Sequence, residues 1–325
     1  MSALLEVEGL TVAMRGAAEP LVDGVGFRLE RGRTLSLVGE SGCGKSLTAL
    51  ALMGLLPDPP LRRTGGAARF RGRDLFAMPA PERRALRGGA MAMIFQEPMT
   101  SLNPALTVGR QIAEAVRAHS GATAAEARAR AHEMLRRVRI PAPERRLDEH
   151  PHALSGGMRQ RAMIAMALAN DPALVIADEP TTALDVTVQA QVLELLRELG
   201  RETGAALVLI THDLGVVAQM ADDVAVMYAG RIVEAGPVRA VFEDPQHPYT
   251  LGLMRSMPTL AGRPGARLAT VRGSVPAAEA MPRGCRFAPR CPLAGPPCRE
   301  APPLAPVGAA GHRAACWRAP LEDAA

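Results

Sequence analysis

The chain has 325 residues, 48 % of them hydrophobic, which suffices for one large domain with an appendage or for two domains. Its net charge is +5, but the basic residues are scattered and aromatic residues make up 3 %, which argues against a nucleic-acid-binding protein. The sequence has no apolar run that could span a bilayer and begins without a signal-peptide pattern, so we expect a cytosolic protein that reaches a membrane through partners.

Patterns typical of strands dominate the first hundred residues, with one helix among them. The predicted strands are residues 4–12, 25–32, 34–39, 67–75 and 91–95. Helical periodicity runs from Lys45 to Leu56 and stops at Pro57. A strand, a turn and a helix therefore follow one another over residues 34–56.

The middle of the chain changes in composition. Alanine, arginine and glutamate dominate from about residue 100 to 165, which predicts a mostly helical subdomain. Buried strands return at 173–178 and 206–211, with a predicted helix over 186–201 between them. Because strands that alternate with helices build parallel sheets, we predict an α/β fold with a parallel sheet core. Residues 256–325 hold 12 of the 28 prolines, so we predict a loop-rich tail.

The stretch "GESGCGKS" has the G-x-x-x-x-G-K-S spacing of a P-loop and lies between a predicted strand and a predicted helix. Its glycines let backbone N–H groups converge on phosphate oxygens; they are Gly39, Gly42 and Gly44. Lys45 is the only lysine of the chain, and its compact cation would reach the β- and γ-phosphates of a nucleotide. Ser46 would offer its hydroxyl to Mg²⁺.

Two carboxylates follow the apolar strand "ALVIAD". In a P-loop protein Asp178, at the tip of the strand, would hold Mg²⁺, and Glu179 would be placed to polarise an attacking water as the general base. Without the P-loop, the same pair could equally cap the next turn. The two motifs together favour the catalytic interpretation.

The stretch "LSGGMRQR" predicts a second anion site at the start of a helix. The Ser155 hydroxyl and the N–H groups of Gly156 and Gly157 would point outward together with the positive end of the helix dipole. Alone, the stretch is more typical of an ordinary helix cap. One chain has no obvious need for two phosphate-binding helix ends, whereas two chains that face each other head to tail do.

With these motifs the chain resembles the nucleotide-binding subunits of ABC transporters over about residues 4–255. "LSGGMRQR" resembles the family signature, Gln96 in "IFQEP" matches the Q-loop, Asp185 in "TALD" the D-loop, and His212 in "LITHD" the switch histidine. The resemblance implies a P-loop ABC-type domain over 1–255, with an antiparallel β edge beside the parallel core and the helical subdomain inside it.

The resemblance also implies a cofactor set and roles for site residues. Two domains would hold two ATP molecules between the P-loop of one chain and the signature helix of the other, with Glu179 and His212 as catalytic residues. Mg²⁺ would be held through Ser46, Gln96 and Asp178. The implied nucleotide contacts are Met14, Gly39, Ser41, Gly42, Cys43, Gly44, Lys45, Ser46, Leu47, Gln96, Ser155, Gly156, Gly157, Asp178 and Asp185.

Two positions depart from the family pattern or add to it. The family stacks adenine on an aromatic residue after the first strand, where this chain has Met14 followed by Arg15. Cys43 stands in the P-loop at a place where a small residue suffices. It serves either as a small residue or as a reactive thiol that the helix N-terminus would activate.

The tail and the segments after the Q-loop and after the last strand indicate one branch of the ABC transporter family. "EPMTSLNPALTVGRQI", "HPYTLGLM" and "GCRFAPRCP" resemble the dipeptide and oligopeptide importers, which implies a peptide-importer-type extension over 256–325. Relatives that carry nickel or another small solute share most of these motifs. The implied partners are a second ATPase subunit, which is either a paralogue or the same chain, and two transmembrane permeases. An extracytoplasmic peptide-binding protein would be an indirect partner. The implied location is the cytoplasmic face of the inner membrane.

Four of the five cysteines lie in the tail with the spacing C-x5-C-x6-C-x17-C; they are Cys285, Cys291, Cys298 and Cys316. A reducing cytosol disfavours disulfides, and zinc sites usually have short C-x2-C pairs. The spacing and the resemblance favour a [4Fe–4S] cluster that staples a tail with too little core of its own. Zinc and free thiols stay as alternatives.

Two other functions fit parts of the sequence. A soluble ABC-type ATPase that acts on DNA or ribosomes usually has two nucleotide domains or a long coiled coil, and this chain has one motif set and no sustained heptads. An iron–sulfur regulatory protein that only binds nucleotide would not need the Asp178–Glu179 pair or His212. Both are therefore less favoured than a transport ATPase.

Overall fold

The computed structural model describes residues 3–17, 19–97, 101–182, 184–256, 271–277 and 280–321, and it divides into two compact units. The helical unit comprises Met1–Leu4, Leu29–Thr34 and Phe70–Ile210. The P-loop unit comprises Leu5–Arg28, Leu35–Arg69 and Thr211–Ala325. The described part of the tail therefore belongs to the same unit as the P-loop. The predicted domain boundary after residue 255 stays a prediction.

The strands and helices follow the alternation that the sequence predicts. The strands are β1 (Leu5–Met14), β2 (Val22–Leu29), β3 (Thr34–Val38), β4 (Leu61–Phe70), β5 (Arg73–Asp74), β6 (Met91–Ile94), β7 (Leu174–Asp178), β8 (Ala206–Thr211), β9 (Asp223–Tyr228), β10 (Arg231–Pro237), β11 (Ala305–Pro306) and β12 (Arg313–Ala314). The helices are α1 (Lys45–Met53), α2 (Ala80–Leu86), α3 (Val108–Arg117), α4 (Ala124–Arg137), α5 (Pro143–Arg146), α6 (Gly156–Leu168), α7 (Val186–Thr203), α8 (Leu214–Met220), α9 (Val238–Glu243) and α10 (Pro248–Arg255). No helix of the described residues is both long and apolar enough to cross a membrane.

The helical unit is built on three parallel strands. β7 pairs in parallel with β6 on one side and with β8 on the other, and every residue of β7 is buried. Continuous burial on both faces explains why the sequence of β7 is an unbroken apolar run rather than an alternation. The segment predicted to be helical holds α3 to α6, and α3, α4 and α6 pack against one another. A capping box of Thr123 and Glu126 starts α4.

The P-loop unit has a mixed sheet. β3 pairs in parallel with β9, β9 pairs antiparallel with β10, and β10 continues through β12 to β11, also antiparallel. In a second sheet β1 lies between β2 and β4. The parallel β3 ends at the P-loop, so the turn into α1 is presented at the carboxyl end of a buried strand. The predicted α/β class is confirmed, and the sheets are mixed.

Several elements of the unit differ from the sequence prediction, and β4, β9 and β10 show why. β4 begins at Leu61, six residues before the predicted start, because residues 62–66 are polar or glycine and mostly exposed and therefore give no apolar alternation. β9 and β10 were not predicted, although nearly every residue of β9 is buried. Their apolar runs are short and close together, and periodicity alone does not separate such runs from a helix.

Candidate functional site

The P-loop follows β3 directly and ends where α1 begins, as the sequence predicts. Gly39, Gly42 and Gly44 all have positive φ angles, of 157°, 79° and 100°. A side chain at Gly39 would come within 2.2 Å of the carbonyl oxygen of Met227 in β9, so this glycine permits a close approach of two backbones. Ser46 and Leu47 lie in the first turn of α1. The loop thus has the backbone geometry and the adjoining helix N-terminus that suit a phosphate group.

Lys45 lies along the P-loop rather than in solvent. Its side-chain nitrogen donates hydrogen bonds to the carbonyl oxygens of Gly39 and Glu40, at 2.8 and 3.0 Å, and is 3.7 Å from the sulfur of Cys43. Cys43 is fully buried, and burial raises the pKa of its thiol in spite of the nearby Lys45 cation. Burial therefore opposes the reactive-thiolate interpretation and favours Cys43 as a small residue that fills the loop.

In the helical unit, Asp178 ends β7 and is buried, with 5 % of its surface exposed. Glu179 follows with a φ of 46°, a left-handed conformation that costs a residue other than glycine about 1–3 kcal/mol and tends to occur at functional sites. The N–H of Glu179 donates to the carbonyl of Ile210 at the end of β8. The neighbouring strand therefore fixes the backbone turn that aims the Glu179 carboxylate.

Two side chains hold the Glu179 carboxylate. The amide of Gln96, two residues after β6, donates to Oε2 at 3.1 Å, and the hydroxyl of Thr182 donates to the same oxygen at 2.8 Å. The structure thus brings together the predicted Q-loop glutamine and the predicted general base. Thr182 was not predicted. Its position three residues after Glu179, in "EPTT", is the signal that could have indicated it.

The predicted signature helix begins as the sequence suggests. Ser155 caps α6, and its hydroxyl accepts from the N–H of Met158 at 3.3 Å. Ser155 and Gly156 are exposed, so the first turn of α6 is open to solvent in this chain. Gly157 has a packing role as well, because a side chain there would come within 2.7 Å of Cγ1 of Val188 in α7.

The predicted D-loop and switch residues each stand beside a helix start. Asp185 caps α7 by accepting from the N–H of Val188 at 2.9 Å, and Val186 next to it is 85 % exposed. His212 follows β8 and is exposed, and Asp213 after it caps α8.

Met14 ends β1 and is 44 % exposed, while Arg15 forms an ion pair with Asp58 at 3.0 Å. Met14 is therefore accessible to a ligand, whereas Arg15 already has a partner. The predicted contact of Met14 with adenine stays a prediction.

The tail cysteines form a small module in the P-loop unit. The N–H of Cys285 donates to the carbonyl of Cys298 at 3.0 Å, which joins the two ends of that segment. The sulfur atoms of Cys291 and Cys316 each accept an N–H from the residue two positions ahead, at 3.4 and 3.3 Å. Such N–H groups stabilise thiolates that ligate metals.

Burial opposes free thiolates in this module. It raises the pKa of Cys285 and of Cys316, and that of Cys291 to about 11, and nearby cysteines add to each shift. The four sulfur atoms are thus close enough to influence one another. Nevertheless, no group of three or more His, Cys, Asp or Glu side chains in the described residues is arranged to hold a metal ion. The predicted metal site is therefore not supported as a formed site, although its donor set suits soft metals.

A P-loop between a strand and a helix, an Asp–Glu pair at a strand end and a helix opened by Ser-Gly-Gly define an ATPase of the ABC class. The sequence matches the ABC transporter family over residues 22–182 and the family described as "Oligopeptide/dipeptide transporter, C-terminal region" over residues 233–298. The chain belongs to the ATP-binding subunits of ABC transporters, in the branch that carries this C-terminal region.

Relatives and solved structures agree with this assignment. A Sinorhizobium fredii protein, y4tR, named a probable peptide ABC transporter ATP-binding protein, is 52 % identical over 97 % of this chain and 95 % of its own length. A Brucella abortus protein that carries the name of a peptide import ATP-binding protein is also 52 % identical, over 93 % of this chain and 91 % of its own. The ATP-binding cassette MJ0796, solved as a dimer bound to ADP and Pi, is 27 % identical with a TM-score of 0.64, over 72 % of this chain and 99 % of its own. CbiO1 from Clostridium perfringens, part of an ABC transporter complex, is 26 % identical with a TM-score of 0.64, over 75 % of this chain and 92 % of its own.

Proposed function

We propose that this chain hydrolyses ATP to power the import of di- and oligopeptides through an ABC transporter. The observation that carries the proposal is the C-terminal region of residues 233–298, which matches the oligopeptide/dipeptide transporter family. The names of the two relatives at 52 % identity support the same substrate class. Import of nickel or another small solute is the second candidate, because the resemblance extends to relatives that carry such solutes and share most of these motifs.

In this proposal the P-loop binds the phosphates of ATP. Lys45 neutralises the β- and γ-phosphates, and the N–H groups of Gly42 and Gly44 donate to their oxygens. The role is supported by the left-handed glycines and by the start of α1 at Lys45. Ser41 and Cys43 complete the loop, Leu47 follows in the first turn of α1, and Met14 contacts adenine.

Mg²⁺ is the proposed metal of this site. The Ser46 hydroxyl, the Asp178 carboxylate and the Gln96 amide oxygen are hard oxygen donors of the kind that Mg²⁺ prefers. When bound, the ion would neutralise charge on the β- and γ-phosphates. Asp178 is buried at the end of β7, which supports a fixed rather than a mobile ligand.

Glu179 is the proposed general base, and His212 the proposed partner of the γ-phosphate. A carboxylate held by Gln96 and Thr182 has a fixed direction, and in this proposal its other oxygen accepts a proton from the attacking water. The left-handed backbone at Glu179 supports the assignment, since such strain is characteristic of catalytic positions.

We propose that a second ATPase subunit completes the two nucleotide sites. Ser155, Gly156 and Gly157 at the start of α6 would bind the nucleotide of the partner chain, and Asp185 would lie in the contact between the two chains. The exposure of Ser155, Gly156 and Val186 supports this role. We further propose two transmembrane permease subunits, an indirect extracytoplasmic peptide-binding protein, and a position at the cytoplasmic face of the inner membrane.

For the tail we propose that Cys285, Cys291, Cys298 and Cys316 hold a [4Fe–4S] cluster that staples the module. The four-thiolate donor set and the N–H groups on two of the sulfur atoms support it. Iron and acid-labile sulfide measured on anaerobically prepared protein should both reach about four per chain. A protein with one zinc per chain, or with neither metal, would contradict the cluster, and zinc would establish the alternative.

The transport role is tested with the full complex. The protein is co-purified with its permease subunits, the subunits are counted, and the complex is placed in vesicles with its binding protein. Defined di- and tetrapeptides should accumulate in an ATP-dependent manner, whereas Ni²⁺ should not. Uptake of Ni²⁺ without uptake of peptides would establish the second candidate instead.

A further inference from the structure

The tail has a direct connection to the P-loop through one ion pair. The guanidinium of Arg290 contacts both carboxylate oxygens of Glu40, with Nη1–Oε2 at 2.7 Å and Nη2–Oε1 at 2.9 Å. Glu40 is the second residue of the P-loop, and 250 residues separate it from Arg290. A bidentate pair of this kind fixes orientation as well as distance, unlike a single contact between two point charges.

Arg290 is itself held rigidly. Its side chain is only 5 % exposed, whereas that of Glu40 is 29 % exposed. Its remaining donors reach the backbone carbonyls of Val271, Arg272 and Gly273 at 3.2, 2.8 and 3.1 Å. Its guanidinium also lies 5.6 Å from the centre of the Tyr228 ring. A long, flexible arginine usually loses entropy on pairing, but here the guanidinium is already ordered by groups other than Glu40.

Glu40 is fixed at three points. Its carboxylate binds Arg290, its N–H donates to the hydroxyl of Tyr249 at 2.9 Å, and its carbonyl oxygen accepts from Lys45 at 3.0 Å. Lys45 also donates to the carbonyl of Gly39, so the same two peptide groups position the lysine of the P-loop. The orientation of Glu40 is therefore coupled to the position of the Lys45 ammonium.

A second arginine of the tail supports the other end of the loop. Arg286 is buried and donates to the carbonyl of Ala229 and, at 2.8 Å, to the carboxylate of Asp23. Gly230, next to Ala229, donates its N–H to the carbonyl of Cys43 at 3.0 Å. Buried guanidinium groups are costly unless they are paired, which indicates that this arrangement is specific rather than incidental.

We propose that Arg290 is a positioning residue of the nucleotide site, which acts through Glu40 to hold the P-loop in its phosphate-binding conformation. The inference rests on the proposed role of the P-loop and extends it, because it assigns the tail a part in ATP binding. The residue does not touch ATP in this account. Its loss allows the Glu40 peptide to rotate and the Lys45 ammonium to leave its position, so ATP must reorder the loop when it binds.

The test uses the full chain and measures ATP hydrolysis over a range of ATP concentrations. Arg290→Met should raise KM for ATP about tenfold, which corresponds to about 1.4 kcal/mol, and change kcat less than twofold. Arg290→Lys keeps the charge but not the planar guanidinium that binds both oxygens of Glu40, so its KM should lie between those of the wild type and Arg290→Met. Arg239→Met removes an exposed ion pair with Glu243 in the same unit and should leave KM unchanged. A purely structural role of Arg290 would lower the melting temperature without this separation of KM from kcat.

Glu40→Gln keeps the proposal testable if Arg290→Met does not fold. This variant removes one charge of the pair and leaves Arg290 its backbone carbonyls, and it should raise KM as Arg290→Met does. The variant that combines Arg290→Met with Glu40→Gln should have a KM no higher than that of the more impaired single variant, because both changes break the same contact. A wild-type KM in Glu40→Gln would overturn the inference. Lys45→Ala tests the underlying function separately, since a wild-type KM there would overturn the role of the P-loop itself.

Discussion

The side-chain amide of Gln96 donates a hydrogen bond to the carboxylate of Glu179, with Nε2 and Oε2 3.1 Å apart. The contact follows from the sheet register, because Ile94 at the end of β6 is paired with Ala177 near the end of β7. Each side chain stands two residues beyond its paired residue. A change in what Gln96 binds is thereby transmitted directly to the proposed general base.

Gln96→Glu should shift the pH dependence of ATP hydrolysis. The change places a second carboxylate beside that of Glu179, and two neighbouring negative charges raise the pKa of one of them. The acid limb of the pH–rate profile should therefore move to higher pH. Gln96→Ala removes a hydrogen bond that favours the charged carboxylate but adds no charge, so its acid limb should move less than that of Gln96→Glu. Equal profiles for the two variants would contradict the contact.

The left-handed backbone at Glu179 predicts an unusual order of stabilities. Glu179→Gly and Glu179→Ala lose the same side-chain hydrogen bonds, but only glycine adopts a φ of 46° without strain. The free energy of unfolding of Glu179→Gly should therefore exceed that of Glu179→Ala by about 1 kcal/mol. Denaturant unfolding of the two proteins measures this difference. The opposite order would show that this backbone is not strained.

Gly157 and Gly156 form a matched pair at the start of α6. A side chain at Gly157 would meet Cγ1 of Val188 at 2.7 Å, whereas one at Gly156 would have nothing within 4 Å. Because valine is stiff at χ1, Gly157→Ala should lower the free energy of unfolding by about 1–3 kcal/mol. Gly156→Ala should be close to neutral. Combining Gly157→Ala with Val188→Ala should restore most of the loss, and a failure to do so would place the strain elsewhere.

His247 makes the stability of the P-loop unit depend on pH. Burial lowers its pKa from 6.5 to about 3, while its Nδ1 accepts the N–H of Tyr249 at 3.1 Å. Between these two values the unfolded chain takes up a proton that the folded chain does not, so stability falls as the pH falls through this window. The expected loss is about 2 kcal/mol between pH 6.5 and pH 5.

His247→Asn is the control for this pH effect. Asparagine can cap α10 as His247 does, but it does not titrate. In urea unfolding at several pH values, the free energy of unfolding of the variant should therefore depend less steeply on pH. Carboxylates contribute equally to both proteins. Parallel slopes for wild type and variant would show that His247 is not the titrating group.

The sequence predicted the motifs of the site because each is local. The P-loop, the Asp178–Glu179 pair and the cap at Ser155 depend on residues within one turn of each other, and strand–helix context fixes their geometry. The ion pair of Arg290 with Glu40 could not be predicted, because no local pattern relates residues 250 positions apart. The burial of Cys43 could not be predicted from the sequence either, and it is this burial that argues against a reactive thiol.

ATP turnover by Glu179→Gln tests the central claim most directly. The variant keeps the size of the side chain and its contacts to Gln96 and Thr182 but cannot accept a proton, so it should bind Mg–ATP and lose hydrolysis by about 10²–10⁴-fold. Gel filtration with light scattering in the presence of Mg–ATP should show a dimer that retains ATP. Turnover at the wild-type rate would contradict Glu179 as the general base, and with it the mechanism proposed for this ATPase.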